Sequence, residues 1–201
     1  MGNPLYGDDL GKMCFNEAKN WQMQFNPHPT TVISGWYATE DFVTIDTANG
    51  AQTVKMMGVG EYKLQGDGVT NPRKAIALKI ENGSTTPQYV KFNSAKDANS
   101  QNDEADNLVT ITEYTGTGYG VSSLQGYIGA GGSFPTAQGR IVEALCINTA
   151  ETPSLACVCV RSSTQTCPND CQCTGNPTTA NPTNMPTVSF FQVQMYLRPK
   201  T

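Results

Sequence analysis

Apolar and polar residues alternate with a period of two in short runs along most of this chain. From Lys74 to Glu81 the alternation places Ile76, Leu78 and Ile80 on one face of a strand. Near the C-terminus Phe191, Val193, Met195 and Leu197 alternate with Gln192, Gln194, Tyr196 and Arg198. Further strand-like runs cover Thr31 to Tyr37, Asp41 to Asp46, Gln52 to Gly58, Gln88 to Asn93, Leu108 to Tyr114, Val121 to Ile128 and Arg140 to Ile147. Turn residues separate them: Asn49-Gly50 predicts a hairpin-type turn, and Asn82-Gly83 precedes the run from Gln88. Short strands with Gly-rich turns predict a mainly β fold, a β-sandwich or an open barrel.

One stretch has a helical period instead. Cys14, Ala18, Trp21 and Phe25 recur as a single apolar stripe. Asp8 or Asp9 supplies negative charge near its start, and Pro27 and Pro29 end it. A helix of roughly three turns is unstable alone, so it must dock on something. The Gly/Pro/Asp-rich run from Met1 enters this helix without a polar lead-in and reads as the middle of a domain. Further sequence is therefore expected upstream.

Composition narrows the function classes. Only 15% of residues are charged, the net charge is −4, and Gly, Thr, Asn, Ser and Pro are abundant. That balance fits an extracellular β-rich protein and argues against nucleic acid, which calls for a basic face. No apolar run reaches the ~18 residues that a membrane-spanning helix needs. Six of the seven cysteines, Cys146, Cys157, Cys159, Cys167, Cys171 and Cys173, lie close together. This density points to an oxidising compartment, outside the cell or in the cell wall. The odd cysteine, Cys14, is then expected to pair beyond this chain. Asn82-Gly83-Ser84 is a glycosylation sequon and equally an ordinary turn. Residues 176–187 form a Pro/Thr/Asn tract like a mucin-type linker or a long surface loop.

Each candidate site has a bland alternative. Thiolates at the cysteine density of 146–173 bind zinc or copper(I), but disulfides pinning a polar loop are the simpler expectation in a secreted chain. The acidic segment from Asp97 to Asp106 offers oxygens at alternate positions, a weak calcium signal; Asn102 and Leu108 break the EF-hand pattern. His28, the one histidine, sits between two prolines and reads as a loop residue. Trp36 and Tyr37 are better read as core than as a sugar-stacking platform. Ser122-Ser123 has no nucleophile elbow, and Gly129 to Gly132 opens no helix that would cradle phosphate.

The run Met13-Cys14-Phe15-Asn16-Glu17-Ala18-Lys19-Asn20-Trp21-Gln22, preceded by Met1-Gly2 and Asp8-Asp9 and followed by Gly35-Trp36-Tyr37, resembles the segment just downstream of the zinc site in gametolysin-type metallopeptidases. These are secreted zinc endopeptidases of green algae, with relatives in diatoms. This chain departs by about a dozen inserted residues before Gly35-Trp36-Tyr37. A second block, Tyr89-Val90-Lys91-Phe92-Asn93, then Asn99-Ser100 and Glu104 to Val109, follows in the family's order. The resemblance implies that Met1 stands at the methionine turn beneath the metal. It also implies that Cys14, Phe15, Asn16, Ala18, Trp21 and Trp36 are structural residues of a metzincin-like catalytic domain. The zinc-binding H-E-x-x-H is not in this chain, so no catalytic and no metal-ligating residue is assigned to it.

The resulting expectation divides the chain in two. Residues 1–30 are the end of a catalytic domain, a turn and a helix; residues 31–201 are a β-rich domain with the Cys-rich loop 146–173 and the tract 176–187. As the C-terminal portion of a secreted zinc endopeptidase, the chain is expected to be inactive by itself. Zinc and the catalytic half would lie upstream, and the substrates would be matrix or cell-wall proteins and glycoproteins. The alternative is a non-catalytic secreted or surface β domain that binds protein or glycan.

Overall fold

The computed structural model describes residues 37–46, 50–81, 86–100, 105–114, 122–137 and 139–173. The expected helix around Cys14, the assigned positions Met1, Phe15, Asn16, Ala18, Trp21 and Trp36, His28, Asn82, the tract 176–187 and the run through Phe191 to Leu197 lie outside these residues.

Among the described residues, nine strands form two sheets. They are β1 (Phe42–Asp46), β2 (Gln52–Met57), β3 (Ala77–Glu81), β4 (Gln88–Asn93), β5 (Leu108–Glu113), β6 (Ser123–Ile128), β7 (Ser133–Pro135), β8 (Arg140–Asn148) and β9 (Leu155–Ser162). The first sheet has the order β1-β3-β4-β5-β6 and the second β2-β9-β8-β7. One face of each sheet is apolar, and the two faces share a core. Ile45, Leu78, Ile80, Val90, Phe92, Val109, Ile111 and Ile128 come from the first sheet, and Met56, Val142, Ala144, Ile147, Ala156, Val158 and Val160 from the second. The described fold is thus mainly β, as expected, with two sheets packed on a shared core.

The alternation explains the layering and corrects two expectations. Leu78 and Ile80 face the shared core, but Ile76 belongs to a second cluster with Phe42, Met57, Ala77, Tyr89 and Leu155. The reason is that the chain changes sheets here: Ala75 is bonded to β2, through Met57 N–H to Ala75 O and Ala75 N–H to Lys55 O, before β3 begins at Ala77. Period-two counting cannot run through such a corner. The hairpin expected at Asn49-Gly50 is also overturned. Gly50 has the positive φ of a turn, at 75°. Yet β1 pairs in parallel with β3, while β2 pairs with β9 in the other sheet. The turn joins layers rather than neighbouring strands.

The alternating runs do not mark β7 and β9. β9 (LACVCVRS) is the central partner of both β2 and β8 and is buried through Val160. Its alternating Ala156, Val158 and Val160 are interleaved with cysteines, so the run reads as a cysteine motif. Gly129 to Gly132 forms the turn between β6 and β7, where Gly131 N–H donates to Ala144 O and Gly132 N–H to Gly129 O. Those amides are occupied, one by β8 and one within the turn, which removes the phosphate-cradle reading.

Candidate functional site

The most chemically distinctive surface is the outer face of the second sheet. On β9, Ala156, Val158 and Val160 fill the core, so Cys157, Cys159 and Arg161 point outward. On β8, Val142 and Ala144 face inward, and so does Ile147, which breaks the alternation. A β-bulge resolves this. Ala144 pairs with Val158 and Cys146 with Cys157, so Leu145 is an extra residue with no partner across the strand. The bulge sets Cys146 on the outer face beside Cys157. In a regular ladder Cys146 would enter the core and Ile147 would leave it.

After β9 the chain turns back across this face and is clamped there. Cys159 bonds Cys167, Cys157 bonds Cys171, and Cys146 bonds Cys173, with Cα–Cα distances of 6.0, 5.8 and 6.1 Å. The three bridges are nested, each enclosing the next. Polar contacts complete the clamp. Thr53 Oγ1 on β2 donates to Asp170 Oδ1, Ser162 N–H donates to Gln165 Oε1, and Arg161 bonds Gln165 O. Arg161 also pairs with Glu143 at 3.0 Å. A groove of about 510 Å³ opens between the loop and β8, lined by Leu145, Pro168, Asn169, Gln172 and the four cysteines Cys146, Cys167, Cys171 and Cys173. The six cysteines expected to form disulfides therefore all do so, and the sequence alone left their connectivity open.

A second polar cluster went unnoticed in the sequence. Asp41 is fully buried, and Arg73 grips it with both ends of its fork, Nε to Oδ1 and Nη2 to Oδ2, each at 2.7 Å. Tyr62 donates its hydroxyl to Asp41 Oδ2 while accepting from Ala38 N–H and Arg73 Nη2. Gln65 Nε2 donates to Asp41 Oδ1 and to Lys74 O. The Asp41 carboxylate lifts the Arg73 guanidinium further above its ordinary range; burial, and then Asp41, pushes the Tyr62 phenol up. With its donors and acceptors satisfied, this network is a staple between the start of β1 and the segment before β3. Nearby, Glu61 is also buried; it accepts from Ser94 Oγ at 2.7 Å and from Ser154 N–H at 3.0 Å. Gly58 has no Cβ because one would strike the Cβ of Ser94. No signal in the sequence marks these pairs, since the partners are far apart in the chain.

Tyr37 packs edge-on against Tyr62 and Phe42, a core role rather than a sugar platform. In the acidic segment, Asp97 takes an ion pair from Lys63, and Asn99 is buried with its amide donating to Asn93 Oδ1 and Ser94 O. Residues 101–104 are outside the described part. In the loop before Arg73, Asp67 accepts from Val69, Thr70 and Asn71 N–H and from Thr70 Oγ1. The Thr70 hydroxyl and then these amides hold its carboxyl well below the usual range.

Comparison with protein-family models, curated proteins and solved structures finds no match to this chain.

Proposed function

We propose that this chain is the disulfide-clamped accessory portion of a secreted, gametolysin-like zinc endopeptidase that acts on extracellular matrix or cell-wall proteins. The observation that carries the extracellular half of this reading is the triple clamp on the outer face of β8 and β9. Three disulfides pinning one short loop to two strands belong to an oxidising compartment. The peptidase half rests on the residues from Met13 to Gln22 and the block from Tyr89 to Val109. In this reading the described β-sandwich contributes stability and substrate contacts, and the zinc chemistry is supplied by residues upstream of Met1.

The native transcript, read from its 5′ end through the codon for Met1, tests this. An in-frame extension encoding a signal peptide and H-E-x-x-H is expected, and its full product should cleave protein substrates in a zinc-dependent way. A stop codon directly upstream, or an extension without a zinc motif, overturns the reading.

One observation favours the second reading, a non-catalytic binding module. On the edge strand β6, Leu124 and Tyr127 are 44% and 47% exposed. An exposed aromatic and aliphatic pair on a sheet edge suits a glycan or a protein partner. Loss of polysaccharide or matrix-protein binding in Tyr127→Ala, with unchanged thermal stability, would support it.

A further inference from the structure

The three disulfides are not equivalent. The sulfurs of Cys146, Cys157 and Cys173 lie within 4.8 Å of one another, and Cys171 is bonded to Cys157. Four sulfurs from two separate bridges thus occupy one small volume. Two of them stand on neighbouring strands as a register pair, Cys146 opposite Cys157; the other two come from the loop as Cys171-x-Cys173. In a tetrahedral zinc tetrathiolate, the zinc–sulfur bond of about 2.3 Å sets sulfurs about 3.8 Å apart. Once the bridges open, the bonded sulfurs must separate to that spacing, and the Cys171 sulfur, which stands outside the group of three, must swing inward with its loop.

We propose that Cys146, Cys157, Cys171 and Cys173 form a structural zinc site when this chain is reduced, so that the loop is held to β8 and β9 by a metal before it is held by disulfides. The reading is independent of the peptidase assignment. The balance is simple. Each disulfide takes two electrons and two protons to give two thiols, and two equivalents of a dithiol reductant supply them, each closing to its own cyclic disulfide. Zinc then displaces four protons from the four thiols and leaves a centre of net charge −2.

The surroundings separate this group from the third bridge. Lys55 on β2 is the register partner of Cys157 on the outer face and offers a cation beside the anionic centre. Cys159 instead pairs across the strands with Glu143, and Glu143 Oε2 is 3.7 Å from Cys167 Sγ. A carboxylate at that distance opposes thiolate formation. Access is uneven as well. Both cysteines of the Cys146–Cys173 bridge line the groove, whereas the other two bridges reach it only through their loop cysteines, Cys171 and Cys167, with Cys157 and Cys159 fully buried. An incoming reductant meets the outer bridge first, and the thiolate released there sits next to the inner one.

The whole chain is reduced without oxygen by a phosphine, then titrated with zinc against a chromophoric chelator and, separately, with cobalt(II). The expected result is one metal per chain, with the intense visible and thiolate charge-transfer bands of cobalt in a tetrahedral sulfur shell. Cys159→Ser with Cys167→Ser keeps this binding. Cys157→Ser with Cys171→Ser weakens it at least a hundredfold. Lys55→Glu, which leaves every cysteine in place, weakens it about tenfold by replacing the neighbouring positive charge with a negative one. Absence of stoichiometric binding, an octahedral cobalt spectrum, equal affinity in the two double variants, or unchanged affinity in Lys55→Glu each overturns the proposal.

Discussion

Asp41 is the residue on which one corner of the molecule turns. It has no solvent exposure, and Arg73, Tyr62 and Gln65 all aim donors at it. Removing one partner of such a buried pair leaves the other uncompensated, at a cost of about 3–5 kcal/mol. Arg73 keeps some contact with water, with 20% of its side chain exposed. The lower end of that range therefore applies. Asp41→Asn is expected to lower stability by about 3 kcal/mol, read as a shifted urea midpoint at unchanged m-value. Tyr89 supplies a pH signature at the same scale. Burial, and then Glu81 and Tyr114, push its phenol up to about 12. The folded state thus prefers the neutral phenol more strongly than the unfolded chain, where ionisation begins near pH 10. Its contribution is complete below about pH 10 and is lost as pH rises toward 12, about 2–3 kcal/mol in all. Urea unfolding from about pH 9 to about pH 11 should fall less steeply for Tyr89→Phe than for the parent chain. An identical slope would place the titration elsewhere.

At the scale of the element, the bulge on β8 has the clearest consequence. Leu145 is the supernumerary residue, and the pairs on either side of it are already in the register of a regular ladder. Deleting Leu145 should therefore preserve the facing of Cys146 and Ile147, and all three disulfides should form. Inserting one residue between Cys146 and Ile147 does the reverse: it turns Ile147 outward and Asn148 inward. Peptide mapping without reduction distinguishes the two. The deletion variant is expected to retain the Cys146–Cys173 peptide, and the insertion variant to accumulate as misfolded or mispaired material. The bulge also shows why β8 was legible as a strand while its facing was not. Period-two reading puts Ala144 and Cys146 on one face, and only the partner strand reveals the extra residue.

At the scale of the whole molecule, the β class, the paired layers and most strand positions follow from short alternating runs. β1 through β6 and β8 all lie within, or within a residue of, stretches marked by alternation and turn residues. What did not follow is everything set by distant partners. The allocation of β1 and β2 to different sheets, the switch at Ala75, the Asp41–Arg73 pair and the disulfide connectivity are all decided by residues far apart in sequence. β9 was masked by its own composition, because cysteines at every second position serve as outward residues of a strand just as well as they serve as a motif. Of the candidate site, the cysteines themselves were legible; the groove beside them and the grouping of four sulfurs were not.

The nesting of the three bridges has a consequence for wear. Any single cut in the backbone between Cys146 and Cys173 leaves the two pieces covalently joined, and a cut between Cys159 and Cys167 is spanned three times over. A molecule nicked in this loop therefore loses no mass and keeps its core strands in place. It travels as an intact chain on a gel until a reducing agent is added. In surroundings rich in proteases, the exposed return loop can be cleaved without the molecule coming apart.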